Sequence, residues 1–443
     1  MPTNPRHKLV LFGAPSPEHE VSILTGLQVG HALRERHAHV TLGYVDKAGQ
    51  LWTGDPLWQV KSYTGKRLPS ACIPSRLRKD PIKGGVLVQE KAKKGLFGRT
   101  NEEIDLDVAV LAFHGGDGEG GSWQGYLESL GIPFVGSGSM SAALAQDKSM
   151  ARDVVLGQGQ STINSLHEHK LHVADSVTLR EQAWIQNPDV WVKKIAKLGK
   201  EVMLKPARLG SSIGVGRVST QPADLKNAIE RGYQYDNRLV LEKLISPMIE
   251  INCSVRKRAD GSYEASACEQ PVAAEGALSF EDKYMNQTQG KTGSKFGAKA
   301  GSLGQKASLS GSSQEGAKMN LSADLDGQGM ASLKRLLPAP IGDDWTQQIQ
   351  DAAVALAEVF QTSGVVRFDF MVKTSKEGAL KKLYFNECNT IPGSYSFYLW
   401  QESGVPFPDL LDEAMDVAKQ EMATRIGRQK PFESNLLKQY VGS

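Results

Sequence analysis

The chain has 443 residues, 40% of them hydrophobic and 23% charged, and a formal net charge of only +3. That length suggests about two to four domains and a core large enough to need no disulfide staples. The charge balance, with no dense basic tract interleaved with aromatics, argues against nucleic acid as a partner, and no apolar run is long enough to span a bilayer.

Lys8 to Phe12 is a short apolar run ending at Gly13 and reads as a buried strand. The apolar run near the start is too short for a signal peptide. Val21, Leu24, Leu27 and Leu33 then repeat at helical spacing. Val108 to Phe113 predicts a second strand, Trp123 to Leu130 a helix, and Ile132 to Val135 a third strand. Strands alternating with helices predict a parallel α/β unit over about residues 1–135.

The middle of the chain changes character. Val202–Pro206, Arg238–Leu244 and Ile251–Val255 are strand candidates, and the run Gly210 to Gly216 reads as a Gly/Ser loop. Ala259-Asp260-Gly261-Ser262 signals a hairpin turn. Val365–Val372 and Leu383–Asn386 predict another strand pair, and Asp409–Ile426 a terminal amphipathic helix. Between about Asn286 and Met330 the chain is rich in Gly, Ser, Ala, Gln and Lys. Such composition buries too little apolar surface to offset its ordering entropy, so a mobile insertion is expected there. The four cysteines, Cys72, Cys253, Cys268 and Cys388, are scattered without metal spacing and fit a reducing cytoplasm.

Three groups of residues carry chemistry. Arg367-Phe368-Asp369 precedes Asn386-Glu387-Cys388-Asn389. In adjacent strands, Arg367 and Asp369 share one face, as do Glu387 and Asn389. Two carboxylates and an amide oxygen suit Mg²⁺, which fills its shell with waters and substrate phosphates; the same pattern also fits a charged, solvated strand face. Lys205, at the end of a buried strand before Gly210-Ser211-Ser212, fits phosphate binding, although the Walker A order is absent. Glu18-His19-Glu20 and His114 through Glu119 follow predicted strands, where open α/β sheets bind ligands. His167, His169 and His172 lack a metal-binding order and read as a solvated loop.

Taken in order, these pieces resemble the D-alanine–D-alanine ligases. The resemblance runs from Glu18-His19-Glu20-Val21-Ser22 through His114–Gly121, Gln124-Gly125, Gly131-Ile132-Pro133 and Val135–Gly138. It continues in Asp147-Lys148, Lys205-Pro206, Gly210–Ser212, Leu241–Lys243, Lys283-Tyr284, Arg367 with Asp369, Glu387 with Asn389, and Pro392-Gly393. It implies an α/β ATP-grasp fold with an N-terminal Rossmann-like domain (1–135), a small central domain (136–245) and a C-terminal domain (246–443) that carries the insertion at about 286–330. ATP is expected between the last two domains. By this resemblance Lys148 and Lys205 contact phosphates, Glu242, Lys243 and Ile245 flank the adenine, Glu250 holds the ribose, and Lys283 and Phe385 complete the nucleotide contacts. Asp369, Glu387 and Asn389 carry two Mg²⁺ ions, with Mn²⁺ able to substitute. Arg367 and the Gly393 backbone stabilise the tetrahedral intermediate. Glu18, Ser211 and Tyr284 form a hydrogen-bonded set at the amino-acid substrates, with His114 and Ser394 among the substrate contacts. The implied protein is a cytoplasmic homodimer that joins two D-alanines through an acyl phosphate for peptidoglycan precursor synthesis.

The sequence departs from the family in two places. About 45 low-complexity residues follow the lid residues Lys283 and Tyr284, a length typical of insertions rather than of compact loops. After Pro392-Gly393 the chain reads Ser394-Tyr395-Ser396-Phe397-Tyr398-Leu399-Trp400, shorter than the usual spacer before the serine that holds the acceptor carboxylate, so that Ser394 or Ser396 has to stand in for it. A ligase for another amino acid or amine is therefore the competing expectation. A nucleotide-binding scaffold is the reading from another class, and the complete Arg367, Asp369, Glu387 and Asn389 set argues against it.

Overall fold

The computed structural model describes residues 5–81, 84–92, 99–157, 170–272 and 335–428. Lys283, Tyr284, His167, His169 and the expected insertion at 286–330 lie outside these residues.

Strand β1 (His7–Gly13) is the centre of the first sheet, and Leu9, Val10, Leu11 and Phe12 are fully buried. It feeds the helix His19–Arg34, whose residues Ile23, Leu27 and Leu33 enter the same core. This helix lies very close to the strand: a Cβ on Gly26 would sit 2.3 Å from the Phe12 ring, so glycine is needed there. Strands β2 (Val40–Val45), β3 (Leu51–Thr53), β4 (Ile73–Asp80), β5 (Gly84–Ala92), β6 (Arg99–Leu111) and β7 (Phe134–Val135) complete the sheet.

The expectation of a wholly parallel unit needs correction. β1 is parallel to β2 and β6, and β7 is parallel to β6, but β2 through β6 form an antiparallel meander that closes back onto β1. The physical reason lies in the connections. Asp46 to Gln50 is too short for a crossover helix. The Asp46 carboxylate instead accepts the N–H groups of Ala48 and Gln50, both at 2.9 Å, and turns the chain straight back.

Strand β8 (Leu171–Val173) joins the third sheet. The second sheet is antiparallel and contains β9 (Ser176–Arg180), β10 (Glu201–Pro206), β11 (Gly216–Ser219) and β12 (Arg238–Lys243) in the order β11-β10-β12-β9. The helices Pro188–Ala196 and Pro222–Gly232 both open with proline, which is preorganised for a first helical turn. Their residues Val192, Ile195, Leu225 and Ile229 pack on Val202, Leu204, Leu239 and Leu241 to make a separate small core.

The third sheet adds β13 (Met248–Lys257), β14 (Tyr263–Pro271), β15 (Arg335–Leu336), β16 (Val365–Thr374) and β17 (Leu380–Asn389), ordered β15-β14-β13-β16-β17-β8. The expected hairpin joins β13 to β14. Alternation divides its faces. Val366, Phe368, Phe370 and Val372 of β16 point into a core closed by Ile349, Leu356 and Phe360 of the helix Asp343–Phe360. Arg367 and Asp369 therefore point the other way. Buried Ala145, Ala151 and Val155, from the helices Ser139–Gln146 and Lys148–Gly157, enter this third core together with Leu171 of β8. The helix Phe407–Arg428 returns to the first sheet and adds Leu410, Leu411, Ala414, Met415 and Ala418 to its core.

Candidate functional site

The β16–β17 register sets Asp369 opposite Glu387 and Arg367 opposite Asn389, so all four share one face, as the spacing predicts. Arg367 donates to both carboxylate oxygens of Asp369, Nε at 2.6 Å and Nη2 at 2.8 Å. Asn389 Nδ2 donates to Asp369 Oδ2 at 3.1 Å. Burial opposes the charge on Arg367, but Asp369 outweighs it and holds the guanidinium firmly protonated. Among the described residues no group of three His, Cys, Asp or Glu side chains gathers as a metal cage. Asp369, Glu387 and Asn389 fit a hard cation that takes its remaining ligands from phosphate and water.

A register shift between Asp369 and Phe370 inserts one extra residue in β17. That residue, Asn386, accepts a hydrogen bond from Lys205 Nζ at 2.8 Å. Nothing in the residue spacing signals it, since strict alternation gives Asn386 the opposite face.

Lys148, Lys205, Glu242, Lys243, Ile245 and Glu250 line one cleft between the second and third sheets, and Asp369 and Glu387 form its floor. Glu242 is buried between Lys205 Nζ at 2.7 Å and Arg152 Nη1 at 2.9 Å. Burial pushes the Glu242 carboxyl upward, but the two cations outweigh it and hold it below its ordinary value. Arg152 is a partner that the sequence analysis does not single out. Lys148 Nζ donates to the Leu209 carbonyl at 2.7 Å and lies 3.3 Å from Glu387 Oε2. Phe385, expected at the nucleotide, is instead buried in the third core beside Phe360; Met371 supplies that part of the cleft wall. The extra residue at Asn386 turns Phe385 inward, where strict alternation would leave it on the Glu387 face.

At the other end of the cleft, the Ser211 hydroxyl donates to Glu18 Oε1. Ser211 and Ser212 both hold left-handed backbone (φ 51° and 58°), a conformation that non-glycine residues adopt sparingly and mostly at functional loops. A Cβ on Gly115 would come within 2.5 Å of Glu18 Oε2, and one on Gly210 within 2.6 Å, so both glycines make room for this carboxylate. His114 is buried, with Nε2 2.8 Å from Thr25 Oγ1. Burial and the Arg367 charge lower its pKa to about 4, so the ring is neutral at neutral pH. Thr25 Oγ1 also accepts the Ser394 N–H at 3.2 Å. Gly393 and Ser394 thus stand beside the His114 side chain. His172, expected in a loop, lies exposed on β8 with its ring 5.5 Å from that of Tyr384.

Glu119 is the acidic residue here to which the spacing gives no role. Its carboxylate accepts the N–H groups of Gly115 at 3.0 Å and Ile391 at 3.3 Å. Burial first, then the Glu18 charge, with a smaller push from Glu387, raise its pKa from 4.5 to about 7. The sign follows from linkage: the unfolded chain ionises this group at lower pH than the folded one does, so the folded state loses stability as pH rises from about 4.5 through about 7. Glu119→Gln is therefore expected to raise the melting temperature more at pH 8 than at pH 5, measured by calorimetry in EDTA. An equal change at both pH values would count against a raised carboxyl.

Residues 7–137 match the family described as D-ala D-ala ligase N-terminus, and residues 166–305 and 324–416 match D-ala D-ala ligase C-terminus. The D-alanine–D-alanine ligase of Thermosipho melanesiensis is 27% identical over 434 residues, 98% of each chain. The enzyme of that name from Shouchella clausii is 28% identical over 417 residues, covering 92% of this chain and 93% of its own. Among solved structures, the D-alanine–D-alanine ligase of Coxiella burnetii superposes with a TM-score of 0.65 at 21% identity over 96% of this chain and 97% of its own. The VanG D-Ala:D-Ser ligase of Enterococcus faecalis superposes with a TM-score of 0.66 at 22% identity, covering 94% and 100%.

Proposed function

The chain belongs to the D-alanine–D-alanine ligase family and has its ATP-grasp fold, and from that premise we propose that it joins two D-alanines at the expense of ATP, supplying the dipeptide for peptidoglycan precursors. The observation that carries this reading is the Ser211–Glu18 hydrogen bond. It sets a carboxylate, the natural partner of an amino acid's ammonium, at the end of a lysine-lined cleft suited to a nucleotide.

A carboxylate is a poor electrophile, and phosphorylation by ATP converts it into an acyl phosphate that an amine can attack. Asp369, Glu387 and Asn389 would hold Mg²⁺, which when bound would supply positive charge against the transferred phosphoryl group. Lys148 and Lys205 supply further positive charge along the same wall, and Glu242 keeps Lys205 oriented. Arg367 holds a fixed donor at the place where the tetrahedral intermediate's oxyanion forms, and the Gly393 backbone assists it; such preorganised donors act most strongly where water is excluded. Glu18 orients the donor's ammonium, and neutral His114 supports the Thr25–Ser394 edge of that pocket. Two ions, a cytoplasmic location and a homodimer belong to this reading. The division at about 135 and 245 belongs to this reading too; the separate core of Val177 to Leu241 supports a small central unit, while Ala145, Ala151, Val155 and Leu171 pack with the C-terminal sheet and Leu410 to Ala418 with the N-terminal one. No helix among the described residues is long and apolar enough to cross a membrane.

The test is to incubate the protein with ATP, Mg²⁺ and D-alanine and to follow phosphate release together with the mass of the product. The expected result is one D-alanyl-D-alanine per ADP, and Ser211→Ala should weaken D-alanine use by about tenfold, the cost of roughly one hydrogen bond. Phosphate release that depends on another amine and yields no D-alanine dipeptide would support the second reading, a ligase with a different acceptor. The observation favouring that reading is the short turn at Ser394, Tyr395 and Ser396, in which all three residues are left-handed (φ 53°, 54° and 48°).

A further inference from the structure

The loop that carries Ser211 begins at Ala207, just after β10, and its root is closed into a ring of hydrogen bonds. The Ala207 N–H donates to the Arg238 carbonyl at 3.0 Å, and the Ala207 carbonyl accepts the Lys148 N–H at 2.8 Å. Lys148 follows Asp147 in the chain, and Asp147 Oδ2 accepts Arg238 Nη1 at 2.8 Å, which returns the ring to its start. Arg238 Nη1 also donates to Ser149 Oγ at 3.3 Å. The other Asp147 oxygen, Oδ1, accepts the N–H groups of Ser149 at 3.0 Å and Met150 at 3.1 Å and the Ser149 hydroxyl at 2.5 Å. It thereby fixes the first turn of the helix Lys148–Gly157.

The ring joins two bodies that pack in different cores. Ala151 and Val155 of this helix enter the third core, whereas Leu204 of β10 and Leu239 and Leu241 of β12 enter the small one. Polar contacts therefore set where the helix stands against β10 and β12. Arg152 with Glu242 is one such tie, inside the helix, and Arg238 with Asp147 is the other, at its first turn. Asp147 is buried and Arg238 is mostly covered. A buried ion pair adds little net stability over apolar packing, and its best-attested use is to fix position. Neither Asp147 nor Arg238 lines the cleft, but Lys148 does, with Nζ on the Leu209 carbonyl and 3.3 Å from Glu387 Oε2.

We propose that Arg238 is a positioning residue for nucleotide binding: through Asp147 it fixes the first turn of the helix, and so the point in the cleft where the Lys148 ammonium meets the phosphates. This rests on the reading of the cleft as the ATP site of a ligase. A lysine carries its charge on a flexible stem, so the place of the ammonium depends on where its backbone is held. The Lys148 backbone is held twice, by its own N–H on Ala207 and by the preceding carboxylate on Arg238. Without the guanidinium, one hold remains and the first turn can pivot about it. Arg238 holds Ala207 through its backbone carbonyl, so a side-chain substitution spares the root of the loop and with it the Ser211–Glu18 bond.

The test titrates the full-length protein with a non-hydrolysable ATP analogue and Mg²⁺ by calorimetry, and measures KM for ATP and for D-alanine. Arg238→Met keeps the length of the side chain and removes its charge. It is expected to weaken analogue binding and raise the ATP KM by about tenfold, the size of one charge-assisted hydrogen bond. The D-alanine KM should stay within about twofold, because binding on that side is untouched. Arg238→Lys restores a cation and should recover most of the analogue affinity. The deciding measurement is a double-mutant cycle with Lys148→Ala: once Lys148 is gone, Arg238→Met should weaken analogue binding by less than about twofold, whereas a residue that only supports the fold would cost the same in both backgrounds. Asp147→Asn, which keeps a capping oxygen and loses the charge, takes the place of Arg238→Met if that variant does not fold. Equal losses in the two backgrounds, no loss in Arg238→Met, or a D-alanine KM that rises with the ATP KM would overturn the assignment. A wild type that binds the analogue but makes no D-alanine dipeptide would overturn the D-alanine reading alone, and the binding cycle still decides the role of Arg238. A wild type that binds no nucleotide would overturn both.

Discussion

Glu387→Gln is expected to lower kcat by about a thousandfold, corresponding to about 4 kcal/mol of lost transition-state charge stabilisation, while the melting temperature changes little. Glu387 faces Asp369 across β16 and β17, lines the cleft and is partly exposed there, where a cation can reach it. The amide keeps the size and one oxygen of the side chain but removes the charge that attracts Mg²⁺. Lys148, 3.3 Å from Glu387, loses its ionic partner but keeps its bond to the Leu209 carbonyl, so the fold has little reason to respond. Activity titrated against Mg²⁺ checks the assignment, since the variant should need far more metal to recover any rate. Near-normal turnover at ordinary Mg²⁺ would remove Glu387 from the metal site.

Glu242→Ala should act in the opposite manner, on the fold as much as on the rate. The substitution leaves Arg152 and Lys205 buried without their shared anion, and breaking a buried pair in this way costs roughly 3–5 kcal/mol. A fall in melting temperature of at least about 6 °C is expected at pH 7. The pH dependence has a definite sign. Because the Glu242 pKa is held below its ordinary value, its contribution is full above the ordinary carboxylate range and disappears as pH falls through the lowered folded value. The gap between wild type and variant should therefore be widest near neutrality and close on acidification. Glu242→Gln, which retains hydrogen-bond acceptance without charge, should lie between the two. A melting temperature for Glu242→Ala equal to that of the wild type would mean that the two cations find other anions.

What the sequence by itself determined is the part of the protein governed by local pattern. Leu9 to Phe12 are continuous apolar residues with a glycine after them, and they form the buried strand that such a run demands. Arg367 and Asp369, and Glu387 and Asn389, are each two residues apart, and period-two alternation was enough to set them on one face in register. The ordered chain of short motifs was enough to identify the family. Tertiary structure decided whatever depends on residues distant in the chain or on a break in periodicity. The extra residue at Asn386 reverses the face on which alternation places it and brings it to Lys205, 181 positions away. Arg152 meets Glu242 because a helix and a strand from separate stretches cross there, and neither residue's neighbours announce the pairing. Phe385 lies in the core because the same extra residue moves it from the Glu387 face to the opposite one. Glu119 acquires its raised pKa from burial that only the assembled fold supplies, and then from Glu18, about a hundred residues earlier. Spacing specifies which way a side chain points along one element; its partner, its solvent exposure and its charge state depend on the elements packed against it, and for Asp147, Ala207 and Arg238 those come from three separate stretches of the chain.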